Sequence, residues 1–463
     1  MNERSIPSGS YAVLGLGSSG EAVCRFLAKR IGAGVDRVVA YDAADTPELR
    51  ERAKGLAELG VECVLGADAV TVPAEIVVAS PGIRPDSALM QSALLTAAEV
   101  ISEIELAYRA SRSPWVAITG TNGKTTTTAL VGHLLDCAGV ACEVVGNIGR
   151  PAISVVEDAG PATVLVAEVS SFQLKSSFRF RPRVSVLFNI TPDHIDYHGS
   201  FEAYAADKAR IFSQQGPGDT AVIDVDDEGS AVYAPVAEGA GVSVVRVSAR
   251  QPWAPGAYLR DSMLVVDLGP GPVELVSRDE LRIKGSHNVS NALAAAAAAL
   301  AAGADPAGVR EGLRTFSPLP HRLEPVGVVD GVEYFNDSKA TNPDSVLKAL
   351  TAFDDRPLVL LLGGRNKGSS FVPVAEAASQ RAKAVVVFGE AADEIAAAFD
   401  GFDGFRLLRA PGLAAAFEAA RSVAEPGDAV LLSPGCASFD EFTGYDHRGW
   451  EFRRMVQDAG RSR

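Results

Sequence analysis

Short apolar runs alternate along the whole chain with longer stretches in which apolar positions recur every three or four residues. The first kind suits strands buried on both faces, and the second suits helices packed against them. The chain therefore predicts an α/β protein with mainly parallel sheets. In the first part, a strand over 11–14 is followed by a glycine turn and a helix over 18–29. Strands over 37–41 and 75–79 follow, ending at Asp42 and at Ser80-Pro81-Gly82. A boundary is expected between residues 104 and 114, within YRASRSP. The second part carries strands over 115–119, 163–167 and 184–188. It runs to FSPLPHRLEP (residues 316–325), where prolines disfavour regular structure. Strands over 358–362, 384–388 and 429–432 mark the third part. The expected domains are 1–104, Rossmann-like; 105–317, a P-loop ATPase-like parallel sheet; and 318–463, again Rossmann-like.

At 463 residues the chain is long enough for three such domains. Lysine and arginine total 43 against 58 aspartates and glutamates, a net charge of −15. That balance argues against nucleic acid or an anionic membrane as the main partner. The five cysteines have no CxxC spacing, which points to reduced thiols rather than a disulfide framework. The N-terminal MNERSIPSGS has no apolar signal core. The longest apolar run, 292–302, is too short to span a bilayer. A cytoplasmic protein without membrane insertion is expected.

The strongest chemical signal is Gly120-Thr121-Asn122-Gly123-Lys124-Thr125-Thr126, between the strand WVAIT and a helical stretch. A glycine-rich turn entering a helix aims backbone N–H groups and the helix dipole at phosphates. The lysine neutralises charge, and a hydroxyl can hold Mg²⁺. The spacing is shorter than the full GxxxxGK[ST] pattern. Glu168 closes a neighbouring strand, where a magnesium partner belongs. His194, in NITPDHID, is flanked by carboxylates and suits a divalent metal or a carboxylate substrate. In FEAYAADKARIF, Phe201, Tyr204, Lys208 and Ile211 share one helical face. A lysine on an apolar face either snorkels to water or does chemistry. Burial lowers its pKa, and a neutral amine can take up CO₂ as a carbamate, an anionic metal ligand.

Gly15-x-Gly17-x-x-Gly20 lies between a strand and a helix, with Asp42 at the end of the next strand. This is the pattern of a dinucleotide turn, but the same geometry can cradle a nucleotide-sugar pyrophosphate. Ser18, Ser19 and Ser80 add short donors around it. Asn288 and Asn291, in SHNVSN, are one helical turn apart and could face one ligand or cap the helix.

Taken together, GTNGKTTT, EVSSFQL, NITPDHID, YAADKARIF, GSHNVSNALAA, LPHRLE, NDSKATNPDS and LLSPGCASFDEF occur in the order seen in Mur ligases, over nearly the whole chain. EVSSFQL with NDSKATN most resembles the branch of that family that adds D-glutamate. The resemblance implies ATP-dependent ligation of D-glutamate to UDP-N-acetylmuramoyl-L-alanine through an acyl phosphate, in peptidoglycan precursor synthesis, by a monomer. The first domain would hold the UDP moiety, the second ATP, and the third would close over the site with the amino acid. Lys124 would contact ATP phosphates, Thr125 and Glu168 a first Mg²⁺, and His194 with carbamylated Lys208 a second. Asn288 and Asn291 would lie near adenine, and Arg322 and Asp337 would clamp ATP. Gly17, Ser18, Ser19, Asp42, Ser80, Pro81, Gly82, Asn147 and Ser170 would serve the nucleotide substrate. His194, Thr341, Lys367, Ser438 and Tyr445 would serve D-glutamate.

Two other classes remain open on the residues alone. A nicotinamide oxidoreductase would use GLGSSG but leave the second glycine turn, Glu168 and Lys208 without a role. A nucleotide sensor or motor would turn over ATP independently of any amino acid.

Overall fold

The computed structural model describes residues 5–147, 149–283, 285–353 and 356–461, apart from the Asp196 side chain. The strands form three sheets, distributed over two compact units.

The first unit comprises 1–281 and 290–315 and contains two sheets. The smaller runs Glu62–Leu65, Val35–Asp42, Gly9–Leu14, Ile76–Ala79 and Glu99–Ser102, all parallel. The reversal of strand order beside Gly9–Leu14 leaves a crevice at the carboxyl ends, where Gly15–Gly20 turns into the helix Ser18–Ala28. The larger sheet has nine strands: Pro272–Ser277, Met263–Asp267, Gly256–Arg260, Ser243–Ser248, Thr220–Asp224, Val184–Leu187, Trp115–Thr119, Val164–Glu168 and Cys142–Gly146. From Gly256–Arg260 to Cys142–Gly146 it is parallel. The last three strands at the other end form an antiparallel meander. The sequence pattern had not marked that meander, because its short strands carry no helical crossover between them.

Where the YRASRSP boundary was expected, the chain forms the helix Glu103–Ala110, buried almost throughout. Arg109 bonds both Glu99 and Glu105, and Glu105 accepts from the backbone N–H groups of Phe178 and Arg179. Glu103 accepts from Ile153 N at 2.7 Å. The helix therefore lies between the two sheets, and one apolar cluster contains Val13 and Ile101 together with Trp115, Leu165 and Ile223.

The second unit comprises 282–289 and 316–463. Its sheet runs Glu324–Val329, Val332–Asn336, Ala429–Gly435, Leu358–Gly363, Ala382–Phe388 and Arg406–Ala410, parallel except for the first pair. Apolar clusters cover both faces. The strand Glu324–Val329 takes in the last two residues of the expected linker. Its proline is tolerated because the strand lies at the sheet edge.

Candidate active site

The glycine turn is the centre of the first unit's site. Gly120 has φ of +154°, and a Cβ there would come 2.6 Å from Phe188 Cβ. Gly123, at φ +87°, begins the helix Lys124–Cys137. Only glycine meets both demands without strain. The turn is held from the end of the neighbouring strand: Thr121 N donates to Asn189 O, Asn122 N to the Asn189 side chain, and Thr191 N to Thr121 Oγ1. Lys124 Nζ donates to the carbonyls of Gly120 and Thr121, both at 2.8 Å. Thr125 and Thr126 form the next two positions of the first helical turn. Asn291 lies against the turn, since a Cβ on Gly123 would come 2.5 Å from its Oδ1.

Glu168 is 2% exposed. Asn147 bonds it twice, through backbone N–H to carbonyl at 2.9 Å and through its amide to Oε1 at 2.8 Å. Oε2 is buried and has no hydrogen-bond partner among the described residues. A buried carboxylate oxygen left in that state calls for a cation.

Lys208 is also 2% exposed. Its Nζ donates to Gly120 O at 2.7 Å and lies 4.7 Å over the Tyr204 ring. Burial, and then the Lys124 charge, hold its pKa well below the usual lysine range; Asp193 and Glu168 oppose the shift. The lysine expected on the apolar face is therefore enclosed, and its neutral form is favoured more than in an exposed lysine. Tyr204, on the same face, reaches the turn through a 3.0 Å bond between its hydroxyl and Thr121 Oγ1. Asn189 and Thr191 carry no separate signal in the sequence, although both lie within the NITPDHID stretch, and the sequence marks Tyr204 only as part of the apolar face.

His194 adopts a left-handed conformation, φ 51° and ψ 33°, at the start of the turn Ile195–His198. Its ring packs edge-on to Phe172 at 4.9 Å, with Nε2 3.7 Å from Asp193 Oδ2. Among the described residues no three His, Cys, Asp or Glu side chains gather as a metal cage. A metal here would draw on donors of other kinds, such as a threonine hydroxyl, phosphate oxygens or water. The open Glu168 oxygen and the low-pKa Lys208 amine fit that requirement. Ser170 caps the helix Ser171–Lys175 in a reciprocal box with Gln173.

In the smaller sheet, Gly15 has φ of +84°, and a Cβ on Gly20 would lie 1.8 Å from Gly15 O. Asp42 accepts from Leu16 N at 2.8 Å, and Ser80 Oγ donates to Gly15 O at 3.2 Å. These two residues brace the turn. Gly17 and Ser18 are left exposed beside Ser19, a Cβ added at Gly17 would meet open space, and Pro81-Gly82 follows Ser80 on the adjacent loop.

Within the second unit, Asp337 follows Val332–Asn336 and accepts from Ser433 Oγ at 2.8 Å and Leu323 N at 3.3 Å. Burial pushes its pKa up to about 7 against the Ser433 bond and the Arg322 charge. Ser438 is buried and Lys367 exposed. The Tyr445 ring lies under the Lys339 ammonium at 3.6 Å, and Thr341 is half-buried one turn from Asp337. Asn288 belongs to the segment that clusters with this unit, while Asn291, one turn further along the same helix, belongs to the first. Arg448, not foreseen, is fully buried. It donates to Ser338 Oγ, Ser338 O and Cys436 O at 3.0, 2.9 and 3.1 Å. It thereby joins the loops that carry Asp337 and Ser438. Its helical stretch gave no signal beyond an ordinary surface arginine.

A phosphate-cradling turn beside a buried carboxylate and an enclosed amine is the equipment of an ATP-dependent ligase. The chain matches the models for the Mur ligase MurD-like N-terminal domain over 9–102, the Mur ligase middle domain over 118–299 and the Mur ligase glutamate ligase domain over 321–436; it belongs to the Mur ligase family. It is 46% identical over 449 residues to the UDP-N-acetylmuramoylalanine–D-glutamate ligase of Pelotomaculum thermopropionicum, covering 96% of each chain. The enzyme of that name from Salinibacter ruber is 42% identical over 454 residues, covering 96% of this chain and 97% of its own. The fold is shared with the UDP-N-acetylmuramate–alanine ligase of Thermotoga maritima: TM-score 0.58, 20% identity, 97% of this chain and 100% of that one covered.

Proposed function

We propose that this chain is a cytoplasmic, monomeric ligase that joins D-glutamate to UDP-N-acetylmuramoyl-L-alanine, converting ATP to ADP and phosphate. The observation that carries the chemistry is the pair of buried side chains, Glu168 and Lys208, beside the half-buried turn Gly120–Thr126, with Lys208 Nζ bonded to Gly120 O. The D-glutamate specificity is supported by the full-length likeness to ligases of that name.

A carboxylate is a poor electrophile, so the γ-phosphoryl group passes from ATP to the carboxylate of the L-alanyl acceptor, giving an acyl phosphate and ADP. The D-glutamate amine attacks the acyl carbon, loses a proton, and phosphate departs from the tetrahedral adduct as the amide forms. Catalysis then rests on positioning and charge neutralisation. Lys124 exchanges its carbonyl partners for ATP phosphates, helped by the N–H groups of the helix that it begins. Asn291 sets the width of the cradle through Gly123, with Asn288 on the adenine side and Arg322 and Asp337 on the nucleotide.

Magnesium supplies charge neutralisation for the transferring phosphoryl group. Thr125 and Glu168 would hold one ion, and His194 with the Lys208 carbamate a second. Asn147 orients Glu168 by occupying one of its oxygens, which leaves the other as the one that would hold an ion. Gly17, Ser18, Ser19, Ser80, Pro81 and Gly82 would receive the uridine diphosphate, on a turn braced by Asp42, with Ser170 nearer the acyl end. Thr341, Lys367, Ser438 and Tyr445 would receive the D-glutamate carboxylates, together with His194. The division of labour follows the expected domains, 1–104, 105–317 and 318–463.

The test is phosphate release with UDP-N-acetylmuramoyl-L-alanine across D-glutamate, L-glutamate, L-lysine and diaminopimelate. Release is expected with D-glutamate and must require both acceptor and amine. Equal release without an amino acid would favour a motor or sensor. Tight nicotinamide binding without UDP-sugar binding would favour an oxidoreductase.

A further inference from the structure

Beside the cluster, three polar residues from three site-bearing segments form a buried relay. Ser171 Oγ lies 3.0 Å from His198 Nε2, and His198 Nδ1 lies 2.9 Å from Asp207 Oδ2. The His198 side chain is fully enclosed, Ser171 is 3% exposed, and the Asp207 side chain 16%. An ionised carboxylate only accepts, so His198 Nδ1 carries the proton. In the neutral ring Nε2 then accepts from the Ser171 hydroxyl. Ser171 is three residues past Glu168, His198 four past His194, and Asp207 immediately before Lys208.

The ring contacts reinforce the link. Phe172 stacks on His198 at 5.5 Å with planes 9° apart, and also packs edge-on against His194. Tyr204, whose hydroxyl reaches Thr121, packs edge-on to His198 at 5.2 Å and lies beneath the Lys208 amine. His198 is thus the common neighbour of the Glu168 strand end, the His194 turn and the Lys208 helix. The arrangement has the order of a nucleophilic triad. However, Ser171 is buried at a helix start with its hydroxyl committed to the ring, so it offers no attack on a substrate.

We propose that His198 is a positioning residue: through Ser171 and Asp207 it holds Glu168, His194 and Lys208 in the mutual placement that phosphoryl transfer requires. This rests on the ligase reading above. Outer groups that orient charged ligands typically contribute about 10- to 100-fold in activity. The cost should fall on kcat, because the nucleotide turn itself is fastened by Asn189 and Thr191.

The test uses the full-length enzyme and three variants: Ser171→Ala, Asp207→Asn and His198→Phe, the last keeping the ring stack but neither nitrogen. Each is expected to lower kcat about 10-fold or more. KM for ATP and for the UDP substrate should stay within about threefold and the melting temperature should stay close to wild type. Ser171→Ala combined with His198→Phe should be no worse than His198→Phe alone. In enzyme labelled with ¹⁵N-histidine, a slowly exchanging imidazole N–H resonance should vanish in His198→Phe and move in Asp207→Asn. Wild-type kcat in a stably folded Ser171→Ala or His198→Phe variant overturns the proposal. So does a kcat loss matched by an equal collapse of melting temperature in all three, or the absence of the resonance. If the wild type makes no amide from D-glutamate, the ligase reading fails, while the resonance still decides whether the relay exists.

Discussion

Lys208→Met separates the lysine's chemistry from its contribution to folding. The replacement keeps an unbranched apolar side chain of similar length, with a thioether sulfur in place of the δ-methylene, and removes the amine. Its structural cost is one hydrogen bond to Gly120 O, about 1 kcal/mol, and that carbonyl keeps its bond from Lys124. Its structural gain is relief of a buried polar group, about 1–3 kcal/mol. The net change should lie between zero and about 2 kcal/mol in favour of the variant, so its melting temperature should hold or rise by a few degrees. Because burial lowers the Lys208 pKa, the wild type pays most below that lowered value, where folding must enclose an ammonium. The penalty shrinks as pH rises and vanishes above the ordinary value near 10.4. Wild-type stability should therefore climb with pH across that window in CO₂-free buffer, while Lys208→Met stays flatter.

Phosphate release measured on the same samples should fall by more than about 100-fold, beyond what outer-shell groups contribute. The smaller Lys208→Ala, which leaves room for a carboxylate, should recover part of it with acetate. Near-normal turnover in Lys208→Met, or destabilisation beyond about 3 kcal/mol, would show that the lysine is a strut and not a reactive amine.

Gly123→Ala places a Cβ 2.5 Å from Asn291 Oδ1 at a left-handed position, costing about 1–2 kcal/mol; KM for ATP should rise about tenfold, and an unchanged KM would remove Asn291 from the cradle. Burial pushes the Glu103 carboxyl up to about 7, so its contribution is intact below the ordinary carboxylate range and is lost as pH rises through 7. In urea titrations at pH 5 and pH 8, Glu103→Gln should reduce the wild-type difference by up to about 3 kcal/mol, and identical pH profiles would refute the shift. Arg448→Leu strands carbonyls of Ser338 and Cys436 and should destabilise the second unit by about 3 kcal/mol, seen as an earlier calorimetric transition; an unchanged scan would mean that the loops hold without it.

The chemistry was legible where local sequence sets local structure. The turn 120–126 needs its glycines and its helix start wherever the rest of the chain lies, so its shape was legible in the motif. Strands such as Val164–Glu168 and Ala382–Phe388 carry continuous apolar runs and end within one or two residues of the expected bounds, whereas the parallel strands Glu62–Leu65, Cys142–Gly146, Thr220–Asp224 and Arg406–Ala410 are not among the expected ones. The helix Glu103–Ala110 enters the polar stretch YRASRSP, whose composition gives no sign of burial. Arg109 finds Glu99 and Glu105 close by in the chain, but Glu103 and Glu105 are satisfied by backbone N–H groups of Ile153, Phe178 and Arg179, which no local window contains.

The sequence by itself determined the element types, the phosphate turn and the presence of a lysine on an apolar helical face, because each depends on contacts between residues near in the chain. Only the tertiary structure decided that this lysine is sealed against Gly120 and Tyr204, that Asn147 fixes one oxygen of Glu168 and leaves the other open, and that His198 lies between Ser171 and Asp207. Those facts depend on burial and on partners brought together from distant strands, and burial is what lowers the Lys208 pKa and seals Glu168 Oε2 away from water.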